Sequence, residues 1–72
     1  MNIQVLKSYL VRFGDTQDTL AEYLKISRHT LNKKINETGG AEFTLSEIAK
    51  IKRRYDLTAE ELNNIFFGEY VS

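Results

Sequence analysis

The side chains best suited to chemistry in this chain crowd into one short stretch, Arg28-His29-Thr30-Leu31-Asn32-Lys33. Arg28 and Lys33 can donate to guanine O6 and N7, Asn32 can bind adenine through a donor and an acceptor at once, and His29 can donate or accept. This is recognition chemistry, made of directional hydrogen bonds. One histidine and no cysteine leave no nucleophile beside a base. Neither a glycine-rich phosphate loop nor a metal-ligand cluster can be assembled. The paired acids Glu60-Glu61 are read as the first turn of a capped helix, not as a catalytic pair. The sequence predicts no enzyme, no cofactor, no metal site and no small-molecule ligand.

Helices must position these residues. Proline is absent, period-two alternation is hard to find, and apolar residues recur at helical spacing. Leu6, Leu10 and Phe13 mark a first helix, and Gly14 suits the left-handed position that closes one. Three later starts share one device, a hydroxyl cap with an apolar residue just before it and another four after it. Ser27 lies between Ile26 and Leu31, Thr44 between Phe43 and Ile48, and Thr58 between Leu57 and Leu62. Thr44…Glu47 and Thr58…Glu61 add capping boxes, and Thr16-Gln17-Asp18 is a further start. Five helices are predicted, over about 2–13, 17–24, 28–36, 45–55 and 59–67, with one long loop at 37–43. The expected core is Leu6, Leu10, Phe13, Leu20, Ala21, Leu24, Ile26, Leu31, Ile35, Leu45, Ile48, Ile51, Leu57, Leu62, Ile65 and Phe66. The fold class is all-α, one domain over residues 1–72.

Composition bounds the possibilities further. With 42% hydrophobic and 28% charged residues, the chain is neither disordered nor membrane-spanning by composition. No apolar run approaches the roughly 20 residues that cross a bilayer, and the N-terminus lacks the pattern of a secretory signal. A cytoplasmic protein is expected. Ten Lys+Arg against ten Asp+Glu give zero net charge, which argues at first against a polyanion as partner. The sum conceals a segregation. Residues 25–36 hold Lys25, Arg28, Lys33 and Lys34 with no acid, whereas residues 55–72 hold Asp56, Glu60, Glu61 and Glu69 with no base. Such a dipolar chain can present one face to phosphates while the other avoids them.

The spacing Thr16-Gln17-x-x-Leu20-Ala21-x-x-Leu24-x-Ile26-Ser27-x-x-x-Leu31 resembles the helix-turn-helix of the Cro/cI-type (xenobiotic-response-element) DNA-binding family, the lambda-repressor-like fold. The resemblance is good from Thr16 to Asn36 and runs on through Phe43-Thr44-Leu45-Ser46-Glu47-Ile48, covering most of the chain. It implies a five-helix domain that places the second helix of the motif, about 28–36, in the major groove of double-stranded DNA. Arg28, His29, Asn32 and Lys33 then fall at base-reading positions. Gln17 and Asn36 match phosphate-contacting positions, and the Ser27 and Thr30 hydroxyls can donate to phosphate. The implied function is a sequence-specific transcriptional regulator, Cro-like or repressor-like, of a phage or other mobile element. It would bind a palindromic operator as a homodimer.

Two residues depart from the family pattern. Lys25 occupies the turn position usually taken by glycine, so either that turn is strained or its geometry differs. Lys34 stands where an apolar residue is usual, which predicts a slight rotation of the helix. Lys50, Lys52, Arg53 and Arg54 are read as an outward, solvated face that complements the helix C-terminal dipole, with phosphate contact as the alternative. Phe67, Tyr70 and Val71 form an aromatic-rich end read as a dimer contact, against folding back onto the chain's own core. That end and the neutral charge also motivate a second function, a protein-interaction module such as an anti-repressor or assembly factor that keeps the fold.

Overall fold

The computed structural model describes residues 1–67. Five α-helices follow one another: α1 (Ile3–Arg12), α2 (Gln17–Leu24), α3 (Arg28–Ile35), α4 (Leu45–Arg54) and α5 (Ala59–Phe66). A single 3₁₀ turn, Thr38–Gly40, interrupts the long loop, and no strand occurs among the described residues. The radius of gyration is 11.4 Å, close to the roughly 11 Å of a folded domain of this length. The chain is a compact all-α protein.

Each helix begins where a side chain satisfies its free N–H groups. The Asn2 side chain accepts from the Val5 N–H, and Ser27 Oγ accepts from the Thr30 N–H. Thr44 and Thr58 form the expected reciprocal boxes with Glu47 and Glu61. Thr16 does the same with Thr19, a hydroxyl replacing the usual carboxylate. Because these bonds are local, all five helices lie within one residue of the predicted bounds.

The helix ends are equally local but more strained. α1 closes on Gly14 at φ 70°, with the Asp15 N–H donating to the Leu10 carbonyl at 2.8 Å. α2 closes in the same way on Lys25 at φ 60°, the Ile26 N–H donating to Ala21, and α4 on Asp56 at φ 51°, the Leu57 N–H donating to Lys52. A side chain in this left-handed region costs about 1 kcal/mol or more, because Cβ crowds the following carbonyl. The turn between α2 and α3 is therefore strained and keeps the left-handed geometry. Lys25→Gly removes that crowding, partly offset by glycine's larger entropy when unfolded. A gain of about 0.5–1 kcal/mol is expected, raising Tm by about 2–8 °C. Thermal unfolding by circular dichroism reads it, and a fall in Tm would show that the Lys25 side chain matters more than its backbone.

The core runs through every helix, with Leu6, Leu20, Leu31, Ile35, Ile51 and Ile65 fully enclosed. α1 packs against α5, where the Asn2 N–H donates to the Ile65 carbonyl at 2.6 Å and Tyr9 Oη donates to Glu61 Oε2. Three expectations about the core need correction. Leu45, on the expected stripe, is 86% exposed, because the first turn of α4 directs Glu47 inward toward its partners instead. Phe13 is half exposed, although its ring meets Tyr55 edge-on with centroids 5.1 Å apart. Ile26, Ile48 and Leu62 are only half-buried, as the outer members of their apolar pairs. Tyr9 and Glu47 are buried although neither was named as core.

Candidate nucleic-acid interface

α2 and α3 are the most closely packed pair of helices in the molecule, joined by Lys25-Ile26-Ser27. Ala21, Leu20 and Leu24 of α2 and Leu31 of α3 are all buried, and a small residue such as Ala21 suits a close helix crossing. α3 turns Leu31 and Ile35 fully inward. Arg28, His29, Asn32, Lys33 and Asn36 are all exposed, Lys33 opposite that apolar pair and Arg28 at its edge. At 3.6 residues per turn these five lie within an arc of about 140°. The helix is thus a buried apolar ridge behind and a continuous row of hydrogen-bonding groups in front.

The start of α2 joins that row. Asn36 Nδ2 donates to Asn32 Oδ1 at 3.1 Å, and Asn32 Nδ2 approaches Gln17 Oε1 at 3.5 Å, so three amides form a chain from α2 along α3. Arg28 Nη1 lies 3.5 Å from Asp18 Oδ2, in the first turn of α2. Of the residues singled out from sequence, Gln17, Asn32 and Asn36 are therefore directly connected, and Arg28 meets Asp18 instead. His29 and Lys33 lie exposed on the same face. Ser27 is occupied as the cap of α3, accepting from the Thr30 N–H and donating to Thr30 Oγ1 at 2.9 Å; Thr30 itself is half-buried.

Two ion pairs hold this unit onto α4 from behind. Lys34 Nζ, at the end of α3, donates to both oxygens of Glu47 at 2.6 and 2.7 Å, and Glu47 Oε1 also accepts from the Thr44 N–H. α3 is thereby tied to the capped start of α4. Lys34 is half-buried and meets a charge partner, which accounts for a lysine at a position expected to be apolar. Burial pushes the Glu47 carboxyl up, but bonds from Lys34 and the Thr44 backbone outweigh it and leave the carboxyl below its ordinary value.

At the other end, Arg54 donates through Nε and Nη2 to both oxygens of Asp15, at 2.8 and 2.6 Å. Asp15 also accepts from the Tyr55 hydroxyl and from Thr19 Oγ1, and the Arg54 guanidinium lies 4.6 Å over the Tyr23 ring. Arg54 holds the Asp15 carboxyl well below the usual carboxylate range, assisted by Tyr55 and Thr19 against the opposing effect of burial. Burial first, and then the bond to Asp15, push the Tyr55 phenol up. The expectation of four outward cations is corrected: Lys52 and Arg53 are exposed, Lys50 is half-buried, and Arg54 binds inward to the loop before α2. Nothing in local sequence connects Asp15 to Arg54. Glu47 was visible as a capping residue, but its second bond to Lys34 was not.

Phe67 is 52% exposed at the end of the described chain. It lines a surface hollow of about 170 Å³ together with Phe43, Ile48 and Phe66. Tyr70 and Val71, its proposed companions, lie outside the described residues. No helix of the described residues is long and apolar enough to cross a membrane. Comparison with protein-family models, with curated proteins and with solved structures yields no match to this chain.

Proposed function

We propose that this protein is a sequence-specific DNA-binding regulator that reads double-stranded DNA with the exposed face of α3. The observation that carries the reading is the two-sidedness of α3: Leu31 and Ile35 are fully buried behind a row of Arg28, His29, Asn32, Lys33 and Asn36. A major groove about 12 Å wide admits one α-helix, and these side-chain types match its donor and acceptor patterns. Gln17 and the N-terminal turn of α2 lie beside that row, suited to the adjacent phosphates. The two ion pairs onto α4 give the row the fixed placement that directional hydrogen bonds require.

In this reading the protein acts in the cytoplasm on a palindromic operator, as a homodimer with its two α3 helices about 34 Å apart. The exposed Phe67 and its hollow are the surface we assign to the dimer contact. Titrating fluorescent duplexes from the promoter region next to its own reading frame, at two salt concentrations, tests the reading. One duplex should bind well above the rest, with log Kd rising linearly with log salt. Equal binding to all duplexes, or no salt slope, would sink it.

A further inference from the structure

Asp18 is an acid beside Arg28, and its charge opposes the proposed ligand. It sits in the first turn of α2 and, across the turn, its carboxylate approaches the guanidinium of Arg28, the residue that opens α3. Both side chains are open to solvent, 65% for Asp18 and 62% for Arg28. A pair that exposed adds little to folding stability, since solvent screens it and two side chains must be ordered to make it. As an acid in the first turn of α2, Asp18 also complements the positive end of that helix's dipole, a small contribution that does not involve Arg28.

Resting on the DNA-binding reading above, we propose that Asp18 is a positioning residue that aims Arg28 at one guanine in each half-site. Arg28 carries five N–H donors in a rigid planar fork. Asp18 Oδ2 lies 3.5 Å from Nη1, so a contact with Asp18 falls on one edge of the fork. The remaining edge is free to donate to guanine O6 and N7 together. As DNA displaces water, the Asp18–Arg28 attraction strengthens, because the surrounding dielectric falls. The same carboxylate repels phosphates, so an Arg28 with no guanine before it gains less from a backbone contact. Asp18 thus lowers affinity for DNA in general and raises the difference between right and wrong sequences. That division suits a chain with zero net charge.

Selection from a duplex library with randomised positions tests this, run with wild type, Asp18→Asn, Arg28→Ala and the double variant. Wild type should require guanine at one position of each half-site, and Arg28→Ala should lose that preference. Asp18→Asn, nearly the same shape, should lose most of it too while binding scrambled duplex about 3–10-fold more tightly. The double variant should show no greater loss of preference than Arg28→Ala alone. Thermal midpoints well above the assay temperature for all variants exclude a folding cause, Asp18→Asn giving up only the small helix-dipole contribution. An Asp18→Asn protein that keeps the guanine preference overturns the proposal, as does one that weakens all sequences alike. If wild type itself enriches no sequence, the DNA-binding reading falls, and the inference with it.

Discussion

Replacing Arg28 and Lys33 together by alanine is expected to weaken operator binding by about 30-fold or more, with little change in fold. A bidentate contact to a base is worth about 1–3 kcal/mol, and a cation on phosphate or base about 1 kcal/mol more. Both side chains are exposed, whereas Leu31 and Ile35 are buried. Arg28's pair with Asp18 is open to solvent and so adds little to stability. Other exposed substitutions change stability by about 0.5 kcal/mol at most, so Tm should stay near wild type. Binding isotherms at fixed salt give the loss, and repeating them across salt should show a slope reduced by about one to two ions. The same variant separates the two functions considered from sequence. A protein-interaction module would keep its partner after this change and lose it with Phe67→Ala, whereas a DNA reader shows the reverse at α3. Unchanged duplex affinity in the double variant would remove α3 as the binding element.

The second large effect is on stability. Asp15→Asn keeps the side chain's shape but removes the charge that Arg54 meets through two hydrogen bonds. Asp15 is almost fully enclosed, and Arg54 is partly so. Breaking one side of such a pair leaves the other cation desolvated without its counter-charge, a loss of about 3–5 kcal/mol when fully buried. With Arg54 partly open to water, about 2–3 kcal/mol is expected, a fall in Tm of about 10–20 °C for a chain this size. That is a large share of the margin of a small domain. The loosening should be felt first at α2, since Asp15 precedes its cap and Arg54 also covers Tyr23. An unchanged Tm would show that the network contributes nothing net.

The same carboxylates set the response to acid. Asp15 and Glu47 are both held below their ordinary values in the folded chain. The unfolded chain therefore binds protons first as pH falls. The stability these groups contribute is fully present above the unfolded carboxylate range, about pH 4 to 4.5, and is lost as pH falls through their lower folded values. Urea midpoints should be nearly flat between pH 7 and 5 and drop below about pH 4. In Asp15→Asn that drop should be shallower, because one of the responsible groups no longer titrates.

The helix bounds were legible because their causes are local. A hydroxyl at Thr16, Ser27, Thr44 or Thr58 needs only the next three residues to cap a helix, and those residues are adjacent in the chain. The face of α3 was legible for the same reason: the spacing of Leu31 and Ile35 determines which side is apolar, and so which side is left for Arg28, Asn32 and Lys33. What only the tertiary structure decided were the contacts between residues far apart in sequence. Arg54 looked like one more surface cation until Asp15, 39 residues earlier, came within 2.6 Å of it. Lys34 looked misplaced until Glu47 faced it across the loop. Leu45 matched the apolar period of α4 but lies in solvent, because period alone does not say where a helix leaves the core. Short-range periodicity and capping thus determined the elements and the exposed row. Long-range charge pairing, which has no periodic signature, decided how firmly α4 holds that row and which acid, Asp18, stands beside Arg28.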